Sequence, residues 1–178
     1  MSIPTLQTPR LTLRPMRGED WPAYREMMAT DRARFLDGPY QDIDAWSLFC
    51  ADHAGWDLRG SGALMIDIRE TRECAGQVCL NASPFFPEPE LGWFLYEAFE
   101  GKGYASEAAA ALKNWAFDKG GFERLVSFIA PDNAPSVAVA SRLGAVQDPT
   151  AKPRMPHELV FVHQPPPCLS SQSAGEGG

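Results

Sequence analysis

The segment Glu100-Gly101-Lys102-Gly103-Tyr104-Ala105 stands directly before an alanine-rich run, and its residue types suit the binding of an anion. A helix that starts there presents unpaired backbone N–H groups and the positive end of its dipole to whatever lies in front of it. Small residues at 101, 103 and 105 let a diphosphate come close to the backbone, and Lys102 adds a positive charge. The alanines at 108 to 111 let the helix behind the loop lie tight against a sheet. Short glycine loops before helices are common, so the loop alone specifies phosphate only weakly.

Other chemistry is scarce. Cys50, Cys74, Cys79 and Cys168 lack a paired Cys-x-x-Cys spacing, and His53, His157 and His163 form no cluster with them, so neither a metal nor a dithiol site is expected. On a shared strand, Cys74 and Cys79 would point to opposite faces. The net charge of -7 over 178 residues opposes a nucleic-acid surface, which needs clustered Lys and Arg, and suits a cationic or amine partner. No apolar run is long enough to span a bilayer and the N-terminus does not read as a secretory signal; a cytoplasmic protein without membrane contact is expected.

The elements that must position the loop follow from periodicity. Leu11 to Arg14, between Pro9 and Pro15, reads as a first strand. Helices are expected from Glu19 to about Met28 and from about Ile43 to Trp56, the second capped by Asp42 or Asp44 and set apart by Gly38-Pro39. Ala63 to Ile68 and Gly76 to Leu80 read as an antiparallel hairpin. Glu90 to Tyr96 reads as a strand in which Gly92 marks a bulge or a close backbone approach. A helix follows from Ser106 to Lys119, then a strand from Arg124 to Ile129. A further helix, from Ala134 to Leu143, has Asn133 as its cap, and a last strand runs from Glu158 to His163. Trp21, Trp46, Trp56 and Trp93 are expected in the core. Residues 1–165 form one domain, and 166–178, rich in Ser and Gly, read as a disordered tail. Strands cluster early and alternate with helices later, which describes a mixed sheet with helices on both faces.

Two ordered blocks carry a resemblance. Glu90-Leu91-Gly92-Trp93-Phe94-Leu95 with Gly101-Lys102-Gly103-Tyr104-Ala105-Ser106-Glu107-Ala108, and then Asn133-Ala134-Pro135-Ser136 with Ser141-Arg142-Leu143-Gly144-Ala145, resemble the core of the GNAT acetyltransferases, in their RimJ/RimL-like branch. Thr8 to Arg14 resembles that branch's first strand, so the likeness runs to about residue 163. It implies an α/β (α+β) GNAT fold: a mixed, mostly antiparallel sheet of six to seven strands, flanked by about four helices. The fourth and fifth strands, here Glu90 to Tyr96 and Arg124 to Ile129, would splay to admit acetyl-CoA.

On this resemblance, backbone groups around Phe94, Leu95 and Tyr96 hold the pantetheine arm and polarise the thioester. Gly101, Lys102, Gly103, Tyr104, Ala105, Ser106 and Asn133 complete the cofactor set, and no metal is implied. The activity implied is acetyl transfer from acetyl-CoA to a primary amine, a protein N-terminus or a small molecule, by direct attack in a ternary complex; the resemblance also allows a homodimer. Direct attack requires a proton acceptor near the slot, for which Glu90 is the candidate, its plain alternative being a solvated strand-end glutamate. Ser136 stands where the branch places a proton donor for the leaving thiolate, and it serves equally as a helix-start residue. The chain departs from the family at Ala140, where many relatives have tyrosine. It departs again at Glu100, where Gln or Arg is usual and a carboxylate is unfavourable unless it points outward or pairs with Lys102. These departures leave a second reading, a module that binds acyl-CoA with little or no catalysis. Asp31, Asp37, Asp42 and Asp44, around the loop between the first two helices, are either amine attractors or solvated surface.

Overall fold

The computed structural model describes residues 3–165; the expected tail at 166–178, with Cys168, lies outside the described residues. Eight strands form one sheet: β1 (Leu6–Gln7), β2 (Leu11–Pro15), β3 (Ala63–Ile68), β4 (Cys74–Asn81), β5 (Glu90–Leu95), β6 (Leu125–Ile129), β7 (Val146–Gln147) and β8 (Leu159–His163). Their order is β1-β2-β3-β4-β5-β6-β8-β7. This exceeds the six to seven strands expected, because two-residue strands such as β1 are too short to show an alternating pattern. The splayed pair is therefore the fifth and sixth strands, not the fourth and fifth.

The helices are α1 (Trp21–Met28), α2 (Asp42–Arg59), α3 (Tyr104–Asp118) and α4 (Ala134–Arg142), with short 3-10 turns at Gly18–Asp20, Asp31–Leu36 and Glu97–Phe99. Alternation along the strands divides the core between the two faces of the sheet. Leu64, Ile66, Val78, Leu80 and Leu91 meet Ala105, Ala108, Ala109 and Leu112 of α3. Ala63 and Met65 meet Tyr24, Met27 and Met28 of α1 and Ala45 and Phe49 of α2. Neither Asp42 nor Asp44 caps α2: its N-cap is Gln41 without a side-chain bond, and Asp42 is drawn off by Arg25 at 2.6 Å. Asn133 does cap α4, accepting from the Ser136 N–H at 3.2 Å. Trp56 is buried, whereas Trp46 is 45% exposed beside Ile43, contrary to the core expectation for that tryptophan.

A bulge in β4 shapes the centre of the sheet. Ile66 pairs with Gly76 and Asp67 with Cys74, so Ala75 is the extra residue. The insertion resets the alternation, and Cys74 and Cys79 both pack on the α1/α2 face instead of on opposite faces. Gly76 is needed there, with φ +149 and only 2.3 Å between the Phe94 carbonyl oxygen and the place a Cβ would take. β5 stays in register with β4 from Glu90 to Leu95.

On its other edge β5 runs parallel to β6 through one register point, Glu90 opposite Val126. The Val126 N–H donates to the Pro89 carbonyl at 2.9 Å. The Ser127 hydroxyl then donates to the Leu91 carbonyl at 2.6 Å and accepts from His163 Nε2 at 2.9 Å. Burial pushes the His163 pKa down to about 4, so the ring is neutral with its proton on Nε2. Beyond Leu91 the two strands share no further register, which opens a gap toward their C-terminal ends. Ser127→Ala leaves the Leu91 carbonyl and His163 unsatisfied in the core, and is expected to cost about 1–3 kcal/mol in urea unfolding.

Candidate functional site

β5 has one set of backbone groups for each neighbour. The Tyr96 N–H is bonded to the Ala75 carbonyl at 2.9 Å. The alternation of an antiparallel ladder therefore commits Phe94 and Gly92 to β4 as well, and turns the backbone groups of Trp93 and Leu95 toward the gap. Of the three residues expected to face the slot with their backbone, Leu95 does so, while Phe94 and Tyr96 instead contribute side chains to the α1/α2 face.

The glycine loop lies at the open end of the gap. Gly101 and Gly103 adopt left-handed conformations, with φ +74 and +81, which explains glycine at both. Gly103 is the N-cap of α3 and offers no side chain, so the first N–H groups of the helix, from Tyr104 to Ser106, have no capping partner. Nothing lies within 4 Å of a Cβ built on Gly101, and the buried Ser106 hydroxyl has no hydrogen-bond partner. Free donors, an open approach and an orphaned hydroxyl fit a diphosphate.

The loop is braced from behind. Arg10 donates to the Lys102 carbonyl at 2.9 Å and to Glu107 at 2.6 Å, and stacks 4.8 Å over the Tyr104 ring. Although burial opposes it, hydrogen bonds from Thr8 and Arg10 hold the Glu107 carboxyl below its usual range. Lys102 is turned aside, its Nζ bonded to the Ala98 carbonyl at 2.9 Å. Glu100 does not pair with Lys102. Its partner is Arg32, from the turn after α1, which also lies 3.9 Å from Glu97. Sequence reasoning missed Arg32, which is distant in the chain and carries no motif.

Glu90 lies at the closed end of the gap, on the α1/α2 face. Its carboxylate accepts from Asn81 at 2.7 Å. Burial pushes its pKa up to about 7 against the opposing pull of Asn81 and Arg154, and Glu158 raises it further. Cys79 stands beside it, and a Cβ on Gly92 would approach the Cys79 sulfur to 2.9 Å; Gly92 thus marks neither a bulge nor a close backbone approach but room for a side chain. The Cys79 thiol is pushed well up by burial and by the carboxylates Asp52 and Glu90, so it is no nucleophile. Ser136 is on the opposite face, in the first turn of α4, a helix whose Val137 and Ala140 pack with Trp93 against Ile129. Glu90 and the helix that carries Ser136 thus lie on opposite faces of the sheet.

Three of the four acidic residues near the first helices are occupied by arginines, Asp37 by Arg154, Asp42 by Arg25 and Asp31 by Arg34, while Asp44 has no ion-pair partner among the described residues. Asp52 is different. It accepts from Gln77 at 3.0 Å, and burial pushes its pKa up to about 6. A readable signal existed: Ala45, Phe49, Asp52 and Trp56 follow helical spacing, so an aspartate occupies the core-facing stripe of α2.

The raised pKa values have a consequence for stability. The folded protein holds protons on Asp52 and Glu90 that the unfolded chain has released, so stability is greatest below about pH 4 for these groups and falls as pH rises through about 6 and 7. Glu90→Gln removes its share, and is expected to stabilise the protein at pH 8 by on the order of 2–3 kcal/mol relative to its effect at pH 4. Urea titrations at the two pH values measure this.

Comparison with known proteins agrees with this geometry. A family model described as an acetyltransferase (GNAT) domain matches residues 10–146. An acetyltransferase from Agrobacterium tumefaciens of known crystal structure is 51% identical, with a TM-score of 0.88 over 92% of this chain and 96% of that one. A RimL-type ribosomal-protein acetyltransferase, solved in complex with coenzyme A, shares the fold at a TM-score of 0.71 and 23% identity, over 91% of this chain and 98% of that one. An uncharacterized N-acetyltransferase of Bacillus subtilis, YnaD, is 36% identical over 55 residues, which span 31% of this chain and only 32% of that protein's length.

Proposed function

The chain belongs to the GNAT acetyltransferase domain family, and we propose that it transfers an acetyl group from acetyl-CoA to a primary amine by direct attack. The observation that carries this reading is the gap between β5 and β6, which opens onto an uncapped helix N-terminus at one end and holds a carboxylate of raised pKa at the other. In this reading the N–H groups from Gly103 to Ser106 take the pyrophosphate, and Asn133 fixes the turn that presents Ser136. The backbone groups of Trp93 and Leu95 take the arm, and a donor on this edge stabilises the developing oxyanion.

Glu90 takes the proton from the attacking ammonium or amine. The nitrogen bonds to the acetyl carbon, the carbon–sulfur bond breaks, and the sulfur takes a proton through the Ser136 hydroxyl, which regains one from water in the same transfer. A carboxylate whose pKa lies near 7 is suited to this task, because it is ionised at working pH yet basic enough to accept. Pairing of Glu100 with Arg32 removes the electrostatic objection to cofactor binding, and with it a main support for a non-catalytic module. The acceptor, whether a peptide N-terminus or a small amine, and a homodimeric assembly belong to the same proposal.

Thiol release from acetyl-CoA in the presence of a panel of amines tests the reading. The expected result is amine-dependent release, with kcat/KM rising with pH through about 7. Glu90→Gln should lower kcat roughly 10²–10⁴-fold. Absence of stimulation by any amine contradicts it. Gly103→Val should abolish CoA binding in calorimetry, because valine resists φ +81 and its Cβ would press on the Arg10 guanidinium that braces the loop, whereas Glu100→Gln should preserve or strengthen it; the reverse ranking contradicts the role given to the loop.

A further inference from the structure

The α1/α2 face of the sheet carries a second withdrawn carboxylate that the transfer chemistry leaves unused. Other carboxylates drawn from solvent among the described residues are met by cations: Asp20 and Asp67 by Arg14, Glu107 by Arg10 and Glu158 by Arg154. Asp52 has no ion-pair partner within 4 Å, and its neighbours are Gln77, Tyr24 and the Cys79 thiol. The Tyr24 side chain has no exposed surface; its hydroxyl faces the Asp52 carboxylate yet completes no hydrogen bond. An unpaired, desolvated carboxylate is costly and is retained where a cation comes to it.

Its place relative to Glu90 is fixed by β4. Asn81, bonded to Glu90, and Gln77, bonded to Asp52, point to the same face four residues apart, with Cys79 between them. That is about 13 Å of strand. Both carboxylates lie near the Cys79 thiol, which stands between Gln77 and Asn81 on that same face. Asp52 as a residue is half-buried, whereas Gln77 and Tyr24 are buried.

We propose that Asp52, with Gln77 and Tyr24, is the recognition point for a second ammonium group of the acceptor, which makes the preferred substrate an aliphatic diamine or polyamine. One nitrogen reacts beside Glu90 while the other stays protonated against Asp52. The assignment rests on the transfer reading above, and narrows its acceptor to a chemical class.

The test compares α,ω-diaminoalkanes with n-alkylamines of equal chain length, using the full chain with acetyl-CoA. The wild-type protein should prefer diamines by about tenfold or more in kcat/KM, chiefly through KM. In Asp52→Asn, shown to be folded by its thermal transition, that preference should collapse toward one. A purely structural role for Asp52 lowers both series in proportion and leaves the ratio intact; this outcome, or equal use of both series by the wild type, overturns the assignment. Release of CoA by peptides but by neither series overturns the diamine assignment alone, whereas release by no amine or peptide, from protein that binds CoA in calorimetry, rejects the transfer reading itself.

Discussion

The parallel junction of β5 and β6 is the constraint on which the rest of the structure depends. A single register point, Glu90 with Val126, and the Ser127 hydroxyl between the Leu91 carbonyl and His163 hold the strands together at one end only. Past that point β5 is committed to β4, because the glycine at the β4 bulge lets the two backbones come close. The gap is therefore a result of competition for β5: its ladder to β4 is complete and its ladder to β6 is not. Unpaired backbone groups on an interior edge are costly unless something else satisfies them. An extended molecule with its own amides is the natural complement.

The two faces of the gap are chemically unequal for reasons that lie in the helices. On one side α3 and α4 are packed through alanine, valine and leucine, so that side offers little beyond the hydroxyl of Ser136 and the N-terminus of α3. On the other, α1 and α2 bring aromatic rings, the Asp52 carboxylate and the unpartnered Tyr24 hydroxyl against a face of the sheet that carries Glu90 and, after β5, Tyr96. Polar groups with incomplete partners are concentrated where a substrate would come, which is the expected pattern when local stability is sacrificed for binding. Arginines clamp this side at its rim: Arg154 joins Asp37 to Glu158, and Arg32 joins the turn after α1 to the glycine loop. The turn after α1 and the glycine loop are thereby mechanically connected.

The core of the fold was legible in the sequence because its signals are local. Alternation marked β3, β4, β5, β6 and β8, alanines and glycines marked α3, and Asn133 marked α4. The glycine loop at Glu100 to Ala105 was legible as the entry to a helix, and Glu90 as the first residue of β5. What failed was non-local. The bulge at Ala75 reversed the facing of Cys74, the ladder to β4 took the backbone of Tyr96, and the partner of Glu100 came from a turn 68 residues away. Asp52 lay on a helix whose periodicity was seen, but its meaning required knowing that no cation meets it.

Hydrogen exchange with and without CoA tests the central claim most directly, because it reads the backbone groups of the gap one by one. The account predicts that CoA slows exchange at the amides of Trp93 and Leu95 and of Gly103 to Ser106, while the Tyr96 amide, already bonded to Ala75, changes little. Protection confined to other segments, with these amides exchanging as before, would contradict the assignment of the gap as the cofactor site.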